Sequence, residues 1–369
     1  MSAVSSVRMT PLATADRIKA AAIEIGFDLV GVTHAGRLAR AAYYRDWLAR
    51  DYHGRMAYLS RRADLRESPA ELLAGAKSII CVALNYKRET PPRPSVLGGG
   101  TGVSPVPGTE GTGETPVSPR ASAAAQPNAA STAQPIALPA APTGQIAIYA
   151  RGRDYHSVMK RMLWRLIERM QRELAETFDA RPFVDTGPLI ERELAARAGL
   201  GWIGKNTCVL SARLGSYFFL GEIVTTLDLP GDEPATDHCG ACTRCLDACP
   251  TRAFVAPYQM DASRCISYLT IENPGDIPPD LAPGVGDWVF GCDDCQQVCP
   301  FNAKAPLATN AEITENRLPE RIDLLSLLNL RAGEYRRLTR GTAAARAPRA
   351  AWRRNAAVAL ENGEVRSQK

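Results

Sequence analysis

A mixed α/β (α+β) domain, then a small cysteine-rich lobe, then a helical basic tail is the architecture this sequence predicts. Three observations predict it. Helical and strand periodicities alternate over the first 228 residues, eight of the ten cysteines crowd between Cys239 and Cys299, and the pattern from Asp323 onward is helical. A chain of 369 residues has room for two or three cores. Hydrophobic content of 45% and charged content of 22% exclude a wholly disordered or collagen-like chain. No apolar run is long enough to span a bilayer, so no membrane partner is expected. The N-terminus lacks a secretory apolar core, a cleavage site and a twin-arginine pattern, and a cytoplasmic location is expected. In that reducing compartment ten cysteines point to metal ligation or catalysis rather than to disulfides.

Leu12, Ile18, Ala21 and Ile23 recur at helical spacing and predict a helix over 11–26 that ends at Gly26. Phe27–Val32 and Ile79–Leu84 read as strands, the second carrying Cys81 as a buried residue. From 89 to 144 Pro, Gly, Ala, Ser and Thr dominate, and no aromatic residue lies between Tyr86 and Tyr149. Such a stretch buries too little apolar surface to offset its ordering entropy, which predicts a disordered insertion. Order resumes at Ile146, and Val158, Met162, Leu166, Met170 and Leu174 mark an amphipathic helix over 157–176. After Phe183-Val-Asp185-Thr-Gly-Pro188 a helix is predicted for 189–197. Pro188 would sit in its first turn and Asp185 or Thr186 would cap it, unless Asp185 is instead a catalytic carboxyl. Tyr217–Thr226 reads as a further strand. Domains are expected at 1–228, 229–310 and 311–369.

The cysteines fall in two runs, Cys239-x-x-Cys242-x-x-Cys245-x-x-x-Cys249-Pro250 and Cys292-x-x-Cys295-x-x-x-Cys299-Pro300. The first is the bacterial ferredoxin pattern, in which three close thiolates hold one [4Fe–4S] cluster and the fourth reaches the other. Crossing the runs places Cys299 with Cys239, Cys242 and Cys245. Cys249, Cys292 and Cys295 are then one thiolate short, and Cys265 is the nearest spare. Structural zinc is the competing reading, but zinc sites rarely show crossed Cys-Pro endings. Two clusters sharing a small ferredoxin-like lobe form an electron relay fed by an external donor. Each loaded cluster adds a charge near −2, which takes the formal +5 of the chain to about +1. Cys208 suits either core or site lining.

Gly199-x-x-x-x-Gly204-Lys205 resembles a nucleotide-phosphate loop but has Asn206 where a magnesium-binding hydroxyl is needed, and it follows a helix. Nucleotide hydrolysis is rejected, and the glycines are expected to let backbone approach a bulky ligand. His156, in Tyr149-Ala-Arg-Gly-Arg-Asp-Tyr-His156, suits either a structural role or a cofactor pocket. Between Tyr335 and Leu360 there are seven arginines and no acid. That imbalance suits phosphate binding, the alternative being a solvated helix face.

On Tyr149–His156, Val184-Asp-Thr-Gly-Pro188, Gly201-Trp-Ile-Gly-Lys-Asn206, the crossed cysteine runs, Gly341-Thr-Ala and Arg353-Arg-Asn-Ala-Ala-Val-Ala-Leu360, the sequence resembles the epoxyqueuosine reductases. These are cobalamin-dependent iron–sulfur enzymes of tRNA modification. The resemblance implies a corrinoid-binding domain related to that of reductive dehalogenases, a ferredoxin-like domain with two [4Fe–4S] clusters, and a HEAT-like helical C-terminal piece. It implies that epoxyqueuosine at the tRNA wobble position is reduced to queuosine, with electrons passed to cobalamin. Asp185 matches the family's proton donor, and burial near a corrin would favour its protonated form. Tyr149, Arg151, Asp154, His156, Gly201, Trp202, Gly204, Lys205, Asn206 and Thr207 are expected around the cobalamin. Arg346, Arg353 and Arg354 are expected on tRNA. A monomer is expected. Two departures stand out: the 89–144 insertion, and Pro348 with Trp352 inside the last helical segment, which predict an irregular helix there.

A corrinoid reductase of a small molecule is the alternative, and the arginine-rich tail counts against it. An electron carrier is a third reading, but a carrier needs neither the large first domain nor an acid beside a ligand pocket.

Overall fold

Thr10 accepts the Ala13 amide, Pro11 occupies the first turn, and Gly26 at φ +109° closes helix α1 (Pro11–Ile25). This computed structural model describes residues 10–89 and 141–367, so most of the expected insertion lies outside the described residues. Strands β1 (Leu29–His34), β2 (Ser78–Asn85), β3 (Thr143–Ile146), β4 (Ala180–Phe183), β5 (Trp202–Ile203), β6 (Val209–Leu210) and β7 (Phe218–Thr225) follow along the chain. The main sheet has the order β1-β2-β7-β4 with every pair antiparallel. Of the two mixed classes expected, the sheet is therefore of the α+β kind. All eight positions of β2 are buried, which explains its unbroken apolar run and the fully buried Cys81. One sheet face packs on α1 and on the helix Tyr155–Glu173 through Ile18, Ala22, Met159, Leu163 and Leu166. The other face packs on Leu194, Ala195 and Leu200.

A second sheet has β3 at its centre, parallel to Trp288–Phe290 and antiparallel to Arg321–Asp323. It takes one strand from each of the three segments expected as domains, so the segments are interleaved. β3 also starts inside the stretch expected as insertion. Gly144 reads as a linker glycine, yet a Cβ there would lie 2.4 Å from Val289 Cγ1 and 2.7 Å from Leu324 Cδ2. Packing, not looseness, selects that glycine.

The tail forms the helices Leu324–Leu328, Ala332–Thr339 and Arg349–Ser367. Pro348 immediately precedes the last helix, where its missing N–H costs nothing, so the expected irregularity does not arise. Trp352 is fully buried and stacks on Phe290 with ring centroids 5.3 Å apart. Among the described residues no helix is long and apolar enough to cross a membrane.

Candidate active site and cluster lobe

β4 ends at Phe183, and the chain loops over Val184–Ile190 before the helix Glu191–Arg197. That helix has Ile190 at its N-cap and no side-chain cap bond, which corrects the expected capping by Asp185 or Thr186. Asp185 instead sits at φ +48°, an uncommon conformation for a residue with a Cβ. Its Oδ2 accepts the Tyr155 hydroxyl at 2.8 Å and faces His156 Nε2 at 3.1 Å. Asp154 caps the helix Tyr155–Glu173, and its Oδ1 lies 2.7 Å from His156 Nδ1. The cap starts this helix two residues earlier than its apolar spacing predicts and gathers Asp154, Tyr155 and His156 on one turn.

Burial opposes charge on His156, but hydrogen bonds to Asp154 and Asp185 outweigh it and lift the imidazole to about 9. Burial also pushes Asp185 upward, yet the bonds from His156 and Tyr155 hold it below the usual carboxylate value. With the protein's own groups alone, the donors Tyr155 and His156 favour the carboxylate form of Asp185, whereas the expectation of a protonated carboxyl rests on burial beside a corrin.

Asp185, Glu191, Tyr86, Tyr149, Tyr155 and Phe218–Leu220 line a cavity of 220 Å³. Tyr155 stacks on Phe219 at 4.1 Å with the rings 3° from parallel, and Tyr86 lies 4.4 Å from Phe219. Aromatic rings thus form one wall of the cavity beside a polar edge, a lining that suits an apolar ligand. Arg151 is not at this cavity. It is buried at the end of β3, donates to Ile146 O at 2.8 Å and pairs with Glu320 at 3.2 Å.

The residues of the glycine-rich turn are also elsewhere. A Cβ on Gly201 would lie 2.1 Å from Leu210 O, and one on Gly204 would lie 2.4 Å from Leu210 Cδ1. The glycines therefore serve the tight β5–β6 hairpin, and the close neighbour found for each is Leu210. Trp202 packs with Cys239, Cys299 and Phe301, and Lys205 Nζ donates to Gly240 O at 2.6 Å and Cys242 O at 3.0 Å. Asn206 accepts the Cys208 amide at 3.2 Å, and Thr207 O accepts from Arg192 at 2.7 Å. This hairpin clasps the first cysteine run.

The cluster thiols lie in two groups. Burial raises Cys245 to about 11, and Cys299, Cys239 and Cys242 add to the rise. Cys295 neighbours Cys208, Cys292 and Cys265, while Cys265 neighbours Cys249. Cys208, left between core and site, hydrogen-bonds Cys295. Cys242 is exposed, whereas the second group adjoins Tyr86 of the aromatic cavity through Cys208. Four soft thiols in each set suit a [4Fe–4S] cluster. Among the described residues no three His, Cys, Asp or Glu side chains meet around one point as a single ion requires.

The tail arginines divide. Arg354 donates to Leu269 O at 2.6 Å and Asn273 O at 2.8 Å, and the fully buried Asn355 donates to Thr270 O and Val289 O at 2.8 Å each. Arg346 pairs with Glu272 at 2.7 Å and lies near enough to help lower Asp185. Arg353 is exposed and donates from Nε to Leu328 O at 2.7 Å.

Family models match residues 122–186 as "Epoxyqueuosine reductase QueG, DUF1730" and residues 238–302 as a 4Fe-4S double cluster binding domain. An epoxyqueuosine reductase of Xanthomonas campestris is 39% identical over 98% of this chain and 90% of its own length. The chain belongs to the epoxyqueuosine reductase family. Membership makes it an oxidoreductase of queuosine biosynthesis, a tRNA modification. The Escherichia coli member is 36% identical over 94% of this chain and 81% of its own. Among solved structures, an epoxyqueuosine reductase with an epoxyqueuosine-modified tRNA-Tyr stem loop matches at TM-score 0.75 and 27% identity, over 94% of this chain and 80% of that one. The Bacillus subtilis epoxyqueuosine reductase, captured with an aspartate catalytic loop swung out of the active site, matches at 0.74 and 26%, over 94% and 81%.

Sequence reasoning missed Tyr86, Phe219, Glu191 and Glu222. Glu222 carried a readable signal, a lone charge in the apolar run Phe218–Val224.

Proposed function

We propose that this chain reduces epoxyqueuosine to queuosine in tRNA in the cytoplasm, with Asp185 delivering the proton at the aromatic cavity. The carrying observation is the convergence of Tyr155 and His156 on the Asp185 carboxyl at the cavity edge. Cobalamin against the Tyr155–Phe219 wall would supply a strongly reducing cobalt, and the two thiol sets would hold clusters that deliver single electrons. Cys242 at the surface and Cys208 beside the cavity support electron entry at the first set and exit from the second.

The residues then handle charge and protons. Opening an epoxide leaves an alkoxide, which needs a proton as the C–O bond breaks. Asp154 holds the His156 ring by Nδ1, so the proton at Nε2 points to Asp185 Oδ2. His156 first gives its Nε2 proton to Asp185, which passes it on to the alkoxide; His156 is left neutral and recharges from solvent, while Tyr155, kept neutral by burial, holds the carboxylate in place. The swung-out loop of the Bacillus subtilis relative supports a loop that carries this aspartate in and out. Exposed Arg353 and nearby Arg346 would meet the tRNA backbone.

The test is anaerobic turnover of epoxyqueuosine-containing tRNA with and without cobalamin, read by mass spectrometry of the nucleoside. Cobalamin-dependent loss of one oxygen is expected. No loss with clusters and cobalamin bound would overturn the reading in favour of a small-molecule corrinoid reductase.

A further inference from the structure

Glu222 lies in the interior of β7, opposite Cys81 of β2 and Phe183 of β4, and is 0% exposed. Neither of its carboxyl oxygens receives a hydrogen bond from a donor group among the described residues. No cation is among the charges acting on it, which come from Glu191 and Asp185 alone. An isolated carboxylate so placed would be very costly, whereas a neutral carboxyl carries its own donor. That donor has an acceptor at hand in the neighbouring Glu191 carboxyl.

Glu191 faces the cavity and also accepts the backbone N–H of Asp185. Two donors thus converge on the Glu191 carboxyl, the Glu222 O–H from the sheet and the Asp185 N–H from the loop. The loop is also held by Tyr155 and His156, both on the Asp185 side chain, and by Arg66, which donates to Leu189 O at 3.1 Å and Gly187 O at 3.4 Å at the end away from Asp185. Among the described residues the Asp185 backbone meets one side chain by hydrogen bond, Glu191, at a residue whose positive φ costs energy to maintain.

We propose that Glu191 and Glu222 form a carboxyl pair sharing a proton, a latch that positions the Asp185 loop at the cavity. Glu191 is the latch and Glu222, through its O–H, holds the latch in place; both are positioning residues. The inference rests on Asp185 acting at this cavity. Burial, with Asp185 adding to it, raises Glu191 to about 8, and burial beside Glu191 pushes Glu222 well above the usual carboxylate range, in keeping with a proton retained between them at neutral pH. The groups facing the pair are Asp185, His156, Tyr155 and Cys81.

Two measurements test the latch on the fully loaded enzyme. The first is infrared difference spectroscopy for the carbonyl stretch of a neutral carboxylic acid, comparing wild type with Glu222→Gln. Loss of such a band in the variant is expected, and its absence from the wild type overturns the shared proton whether or not the chain turns over epoxyqueuosine. The second is turnover against pH. Glu191→Ala and Glu222→Met should each lower kcat at least tenfold with KM for tRNA changed less than threefold. They should also move the alkaline limb, set near 9 by His156, toward the ordinary imidazole value, because the freed loop withdraws Asp185 from His156. Glu222→Gln keeps an N–H donor for Glu191 and should stay near wild type. Wild-type kcat and limb in Glu222→Met, or an equal fall in Glu222→Gln and Glu222→Met with clusters intact, overturns the latch.

Discussion

Asp185 and His156 show how two side chains divide one task. The His156 imidazolium stores a proton at neutral pH because two carboxylates outweigh its burial, and Asp185 stands between it and the cavity. Asp185→Asn should retain cluster and cobalamin spectra while losing turnover by about 10²–10⁴-fold, measured under single-turnover conditions. His156 makes a second prediction with a definite sign. Its folded value of about 9 lies above the unfolded value near 6.5, so the stability it adds is complete below about pH 6.5. That increment is lost as pH rises through about 9. Denaturation midpoints of wild type and His156→Gln should therefore differ at pH 6 and converge at pH 10. At this scale the sequence is legible wherever a motif fixes position, as with Asp154-Tyr-His156. The hydrogen-bond setting of Asp185 was not legible, because it depends on a partner 29 positions away that folding brings to 3.1 Å.

The β5–β6 hairpin illustrates a motif whose spacing was legible and whose packing was not. Its glycines are spaced like a ligand-binding loop, and spacing alone does not reveal whether the close neighbour is a ligand or the chain's own backbone. A Cβ at Gly201 meets the carbonyl of Leu210, which cannot yield as a flexible side chain would. Gly201→Ala should cost about 1–3 kcal/mol in a urea melt. It should also lower iron incorporation, since the hairpin carries Trp202 and Lys205 against the first cysteine run. The last helix was legible in its basic composition but not in the fates of its arginines. Asn355, which joins Arg354 in the family's tail motif, is a clasp on Thr270 and Val289. Asn355→Ala strands two buried carbonyls, and a loss of about 2–4 kcal/mol is expected from denaturant unfolding.

Across the whole molecule, the crossed cysteine runs were readable as two sets of four because ligand spacing is a local constraint. The interleaving of the three segments was not, since a strand of four residues such as β3 has no periodicity to detect and its partners lie far along the chain. The electrostatics separate two arginines that stand side by side in sequence. Arg353→Ala should weaken tRNA binding and reduce its salt dependence by about one phosphate contact without altering the melt. Arg354→Ala should instead lower the unfolding midpoint, because its guanidinium is spent on the carbonyls of Leu269 and Asn273.

The second sheet also sets a timetable for synthesis. The main sheet has all its strands once Thr225 has left the ribosome, but β3 waits for Arg321–Asp323, about 100 residues later. At about 5–20 residues per second that delay lasts about 5–20 s. All eight thiols of the two runs and Cys265 emerge within it. These thiols are therefore all synthesised while β3 still lacks one partner and the Asn355 clasp has yet to be made.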